Sequence, residues 1–318
     1  MEVERGSSRI GQLTKEGMAM ALEVKLLDLI DIELESSFLV LARNMGEKAL
    51  AKTWGSLILG GDDPILVDTG ASHPEIMQRL GMTGWISEEQ KMENQLARHG
   101  VKPKDVRYIL HTHNHIDHAG QDDKFPMTTT VCMQRKELEH SVSGLMTEQY
   151  PAEYVKHHVD RLHIPGALRL LDLELSGPIE LVPGVRLEHA GGHTEGSMNI
   201  LVETAAGVVC ICGDVIYDVQ DQIVAPLYQM GDYDPQVTGN HSMRKREEKA
   251  AVVKALNSGS FVVPSHDWPA RVVGGRIVAR LGESIPGAEA PVEMKLPSES
   301  GEVTMTVDPG PDRTKSPV

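Results

Sequence analysis

Basic surface, paired cysteines and long apolar runs are all scarce in this chain of 318 residues, and each shortage removes a class of function. Thirty-one lysines and arginines face 46 aspartates and glutamates, a formal net charge of −15. That balance keeps a protein soluble and repels polyanions, and the basic patch that a nucleic-acid partner needs is missing. The longest basic cluster, "RKREEK" at 244–249, carries its own glutamates and reads as a solvated helix face. Three cysteines, Cys132, Cys210 and Cys212, do not make a disulfide framework. Cys210 and Cys212, two apart in an apolar run, read as small buried hydrophobes on one strand face. No run reaches the length of a membrane span, and no charged start followed by an apolar segment and a cleavage site is visible. A cytoplasmic, reducing setting without a membrane partner is the expectation. Aromatics make up only 4%, yet 40% hydrophobic and 24% charged residues describe an ordinary globular chain, one large domain or two smaller ones.

What is present is an alternation of strand and helix signals. Residues 1–20 are polar and mixed, an extension ahead of a domain spanning 21–280. "VKLLDLIDI", "SFLVLAR", "WGSLILGG" and "PILVDTG" read as strands. Ser87 and Gln90 form a capping-box pattern ahead of a helix that Gly100 stops. "VRYIL" at 106–110 reads as a buried strand and "TTVCM" as another, and 134–161 is mostly helical with a break at Pro151. Three more strand signals, "VRLEHAG", "MNILVET" and "GVVCICGD", precede a helix over 241–257. The strand "FVVP" and a hairpin around Gly274–Gly275 follow. From 281 to 318 the composition turns to Pro, Gly, Ser and Glu and reads as a flexible tail. The class is α/β, with many antiparallel-style strands in sheets packed between helices.

The strand "VRYIL" runs straight into "HTHNHIDHAG". Within it His113, His115, Asp117 and His118 follow the spacing H-x-H-x-D-H, and imidazoles and carboxylates are good ligands for divalent transition metals. Two histidines one residue apart at a strand end point the same way and can bind one ion. Asp117 and His118, on the following turn, are positioned for a second. Further ligand types sit directly after other apolar strands: His193 in "GGHTEGS", Asp214 after "VVCICG" and His266 in "FVVPSHDW".

In that order, "THNHIDH", "GGHTEGS", "GD" and "PSHD", with the early "DTG" of 68–70, resemble the metallo-β-lactamase superfamily over roughly residues 25–275. The resemblance implies an α/β (α+β) fold, a four-layer αββα sandwich of two mixed β-sheets flanked by helices, with the site at one edge of the sheets. It implies two divalent metal ions, zinc by first expectation, with iron, manganese and cobalt as alternatives. His113, His115 and His193 would hold one ion and Asp117, His118 and His266 the second. Asp214 would bridge, and Asp68 would support the ligands from behind. Two such cations share a water and make it a nucleophile at neutral pH.

Among the branches, His115 stands where the oxygen-reducing diiron proteins carry glutamate, and no C-terminal helical domain of the glyoxalase II kind follows. The charge argues against the nucleases. The resemblance is closest to N-acyl homoserine lactonases, on three features. They are the long segment from "DTG" to the histidines, the "LVPGVRLEH" strand leading to His193, and Tyr217 three residues after Asp214. It implies hydrolysis of a small lactone, with Asp117 and Tyr217 as catalytic residues and the Tyr217 hydroxyl donating to the carbonyl or the leaving alkoxide. The alternatives are hydrolysis of another ester, an amide, a thioester or a phosphodiester, or a mononuclear iron dioxygenase. The apolar β-runs leave room for a homodimer. His111, and "AGQ" where the family usually has "GG", are departures. His111 is expected to end its strand or support a ligand, His157–His158 to be a solvated pair, and His189 to sit in the core or a pocket wall. Met127, Met133 and Met146 are expected to fill the core, with the wall of an apolar acyl pocket as the alternative.

Overall fold

In the computed structural model the described residues are 21–226, 234–240, 244–281, 284–285 and 292–293. The N-terminal extension and most of the tail lie outside them. Two eight-stranded sheets face each other. The first contains β1 (Glu23–Glu35), β2 (Lys48–Leu59), β3 (Ile65–Val67), β4 (Thr83–Trp85), β5 (Tyr108–Leu110), β6 (Thr130–Gln134) and β7 (Leu168–Leu171). The second contains β8 (Ile179–Val182), β9 (Val185–His189), β10 (Met198–Thr204), β11 (Gly207–Gly213), β12 (Phe261–Pro264), β13 (Ala270–Val273) and β14 (Arg276–Arg280). Two pieces of the expected tail close the edges: β15 (Ser284–Ile285) pairs with β1 and β16 (Val292–Glu293) with β14. Both sheets are mixed. In the first, β3, β5, β6 and β7 run parallel, and in the second only β11 and β12 do.

Strand alternation builds four layers from these two sheets. Ile200, Val202, Val209 and Ile211 of the second sheet meet Val24, Leu26, Ile58 and Leu110 of the first in the central core. The intervening Leu201, Cys210 and Cys212 point outward and pack under helix α6 (Lys245–Ser258). On the outer face of the first sheet, Leu27, Leu57, Ile109 and Val131 pack against Met92 and Leu96 and against Leu138. These three come from helices α2 (Met92–Ala97) and α3 (Arg135–Ser141); α1 (Ser36–Leu39), α4 (Ala152–Leu162) and α5 (Leu173–Ser176) complete the set. The three cysteines are free and buried, as expected. Among the described residues no helix is long and apolar enough to cross a membrane.

Two sequence expectations fail for tertiary reasons. Residues 37–43 are not a strand: α1 and a turn occupy them, with Ala42 and Asn44 at φ 64° and 40°, a backbone that cannot continue a strand. The Ser87–Gln90 capping box does form, with reciprocal bonds of 2.7 and 3.3 Å, but it closes one turn and α2 begins only at Met92. Gln90 also donates to Asp28 and Asp31 of β1, which pins the turn to the sheet before a helix can start.

One irregularity in β1 matters for the site. A bulge between Asp28 and Ile30 makes Thr53 the partner of Ile30 and Ala51 the partner of Ile32. The extra residue, Leu29, shifts the alternation of β1, so that Ile30 and Ile32 share the face of Thr53 and Ala51 of β2.

Candidate metal centre

At one edge of the two sheets four strand ends and turns converge. β5 ends at Leu110 and delivers His111 to His118; the β9–β10 turn delivers His193; β11 ends at Gly213 before Asp214; β12 ends at Pro264 before His266. Three bonds lock the sheets together here: Trp54 N–H to Ser265 O (2.8 Å), Met198 N–H to Thr112 O (2.9 Å) and His266 Nδ1 to Lys52 O (2.8 Å). Gly213 is required twice over. Its φ is 56°, and a Cβ there would stand 2.6 Å from Thr112 Oγ1.

The seven residues named as metal ligands all come together. His193 Nε2 lies 3.1 Å from His113 Nε2 and 2.9 Å from His115 Nδ1. Asp214 sits between the two sets, with Oδ2 3.6, 3.5 and 3.2 Å from the Nε2 atoms of His113, His193 and His266. Its Oδ1 is 3.1 Å from His118 Nε2. Asp117 reaches the second set, 3.6 Å from His266 and 3.8 Å from His118. All seven are nine-tenths or more buried apart from His266.

The neighbours of these imidazoles dictate which nitrogen is free. Lys52 O can only accept, so His266 carries its proton on Nδ1 and presents a lone pair at Nε2. His118 donates Nδ1–H to Asp68 Oδ2 (2.9 Å), and its Nε2 faces Asp214. The Thr112 hydroxyl spends its proton on Asp68 (2.6 Å), so it accepts from His113 Nδ1 and leaves Nε2 free. These ring nitrogens and the Asp214 carboxylate thus converge on one dry volume. His118 Nε2 and Asp214 Oδ1, for all their closeness, have no hydrogen bond, and His115 Nε2 and His193 Nδ1 have none either. Buried polar atoms are normally paired. A donor set of five imidazoles and two carboxylates at these separations fits two divalent cations, whose bonds to nitrogen and oxygen are about 2.0–2.2 Å for zinc. The residues fall into the sets His113–His115–His193–Asp214 and Asp117–His118–His266.

Charge divides the two sets. Burial, and after it the surrounding imidazoles, pushes His113 and His115 well below the usual histidine range, and burial brings His193 to about 4. Burial acts the same way on His118 and His266, but the carboxylates around them, Asp214 first, outweigh it and lift both. In the metal-free chain the first set is therefore free of protons at mildly acid pH, while the second must expel them to bind. Metal-stripped protein dialysed against zinc or cobalt is expected to fill the first set at a lower pH than the second. Equal loading of both sites at the lower pH contradicts this.

Outer contacts hold the ligands. Asp68 is buried at φ 58°, a left-handed conformation that costs roughly 1–2 kcal/mol for a residue with a Cβ. It accepts from Thr112 N–H (2.9 Å), the Thr112 hydroxyl and His118. Asp117 Oδ2 accepts from Thr53 Oγ1 of β2 at 2.8 Å.

His111 does not join the ligands. Its Nε2 meets Asp122 Oδ2 at 2.8 Å and its Nδ1 faces Asp68 at 3.4 Å. Burial lowers its pKa, but Asp122 and Asp68 win and lift it to about 9.

The expectation that His157 and His158 form a solvated pair fails. His158 is buried and binds Asp122 Oδ2 at 3.0 Å, while His157 is partly exposed and accepts from Arg161. Tyr154, His158 and Arg161 line the inner face of α4, and the Arg161 guanidinium donates to the carbonyls of Asp122, Phe125 and Thr129. His189 bonds Gln134 away from the centre, and Met133 fills the core.

The centre floors a cleft of about 390 Å³, its open mouth included. Ile32, Leu34, Phe38, Leu39, Met77 and Met82 form its walls, and Asp117, Asp214, Tyr217 and His266 its floor. No lysine or arginine is among the described residues lining it. Tyr217 is buried, its ring stacked on His266 with centroids 4.7 Å apart. Burial, and after it the Asp214 charge, pushes the phenol well above its usual range, so it stays a donor.

A family model described as the metallo-beta-lactamase superfamily matches residues 52–266. An N-acyl homoserine lactonase of Bacillus sp. is 32% identical over 182 residues, 54% of this chain and 67% of that protein. One from Bacillus cereus is 34% identical over 174 residues, 52% and 64% of the two. The match therefore spans about two thirds of the length of each relative. A solved N-acyl homoserine lactone hydrolase, with the product N-hexanoyl-L-homoserine at its catalytic metal centre, superposes with a TM-score of 0.59 at 23% identity. That likeness covers 78% of this chain and 94% of the other.

Proposed function

The chain belongs to the metallo-β-lactamase superfamily as a metal-dependent hydrolase related to the quorum-quenching lactonases, and on that premise we propose that it opens lactone rings. One observation carries this reading: an apolar cleft with no lysine or arginine among its described lining residues opens onto the His/Asp centre, beside a phenol that keeps its proton. Phosphodiesters and other anionic substrates call for arginine or lysine, and none is among the described residues of the cleft. An uncharged cyclic ester with an apolar arm needs none.

Two divalent cations, when bound, supply water activation at neutral pH and Lewis-acid polarisation of a carbonyl. The chain supplies the rest. The cleft walls seat the apolar arm and bring the ester to the floor. The Tyr217 hydroxyl donates to the carbonyl oxygen as negative charge develops there. Asp117, oriented by Thr53, lies at the floor, where it takes a proton from the attacking water and passes it to the ring oxygen as the acyl C–O bond breaks. The product carries a carboxylate and an alcohol, and one proton is released per ring opened.

A pH-stat screen tests the class. N-acyl homoserine lactones and aromatic lactones are expected to release acid, and β-lactams, thioesters and phosphodiesters are not. Within the acyl series kcat/KM is expected to rise with chain length, by at most about fourfold per methylene at ~0.8 kcal/mol each. A preference for an anionic ester, or no dependence on length, sinks the assignment of the cleft.

A further inference from the structure

Behind the first ligand set lies a carboxylate that belongs to no ligand. Glu137, in α3, is fully buried. Its Oε1 accepts from Asn114 N–H (2.9 Å) and the Tyr150 hydroxyl (3.0 Å), and its Oε2 from Thr194 Oγ1 (2.6 Å). Each donor is tied to a ligand. Asn114 stands between His113 and His115, Thr194 follows His193, and the Tyr150 ring packs edge-on against His115 with centroids 5.0 Å apart. The backbone is shaped for this contact as well: a Cβ on Gly196 would fall 2.4 Å from Glu137 N, so the start of α3 lies directly on the turn that carries His193. Ser197 Oγ completes the arrangement, accepting from Thr194 N–H (3.0 Å) and lying 2.8 Å from its hydroxyl.

We propose that Glu137 is a positioning residue for the His113–His115–His193 set, a single acceptor that fixes both chain segments from which that set is drawn. The inference rests on the reading that the two sets hold metal ions. A carboxylate with three short bonds to groups beside the ligands holds their nitrogens converged before an ion arrives, so less ordering remains for binding to bring about. Nothing in the Asp117–His118–His266 set touches Glu137; Asp68, Thr53 and Lys52 O hold that set instead.

The selectivity is what an experiment can read. In a His266→Ala background only the first set is complete, and in a His193→Ala background only the second. Cobalt affinity is measured in each by equilibrium titration, with the absorption bands of the bound ion as a second readout. Adding Glu137→Met, of similar length but without an acceptor, is expected to weaken the first-set ion by about 10–100-fold and shift its bands. The second-set ion is expected to be unmoved. Glu137→Gln, which still accepts from Asn114 and Tyr150, is expected to restore most of the affinity. Should Glu137→Met not fold, Thr194→Val cuts the link to the His193 turn alone and is expected to weaken the first set only. Unchanged first-set affinity, or equal weakening of both sets, overturns the proposal. Failure of the His266→Ala parent to bind any ion would instead overturn the metal reading beneath it.

Discussion

Asp214→Asn is expected to lower kcat/KM for lactone opening by about a thousandfold, ~4 kcal/mol of transition-state stabilisation, and to leave the protein with fewer than two ions per chain. Asp214 alone reaches both ligand sets, 3.1 and 3.2 Å from His118 and His266 and 3.5 and 3.6 Å from His193 and His113. Its Oδ1 has no hydrogen-bond partner, so the oxygen is held in reserve rather than used in the scaffold. Asparagine keeps the shape and one oxygen but loses the negative charge that offsets two cations in a buried volume. Metal content by elemental analysis, read beside kcat/KM, separates the causes. An Asp214→Asn variant with two ions and full activity contradicts the bridging role.

Tyr217→Phe is expected to lower kcat by about a hundredfold, the effect of removing one donor to a developing oxyanion, with metal content unchanged. The ring keeps its stacking on His266, so the loss isolates the hydroxyl. The hydroxyl accepts a long bond from Asn240 (3.4 Å), and Asp214 stands close enough to hold its proton between turnovers. A rise in KM with kcat intact would place Tyr217 in substrate binding and not in the chemical step.

The His/Asp cluster is legible in the sequence because the chemistry is crowded and because it sits where strands stop. Four titratable groups within His113–His118 against the buried strand Tyr108–Leu110 have few other uses, and His193, Asp214 and His266 each repeat the same placement after an apolar run. Their supporters were not legible. Thr53 meets Asp117 across 64 residues, a contact that only the packing of β2 beside the centre brings about. Glu137 and Thr194 are 57 residues apart in sequence and 2.6 Å apart in space. For His158 a signal existed: Tyr154, His158 and Arg161 share one face at helical spacing. A polar stripe normally faces water, and here it turns inward because Arg161 satisfies three loop carbonyls. "SFLVL" misled for a different reason. A short apolar run does not distinguish strand from helix, and Phe38 and Leu39 line the cleft from α1 and the residues around it.

One titration tests whether a two-ion centre opens the lactone. Metal-stripped protein is mixed with an N-acyl homoserine lactone in a pH-stat, and zinc or cobalt is added in steps while acid release is recorded. Little activity is expected up to one equivalent, then a rise that levels off at two ions per chain, and loss on adding a chelator. Full activity at a single ion, as a mononuclear iron dioxygenase scaffold would bind, or a two-ion protein that leaves every lactone closed, contradicts that expectation.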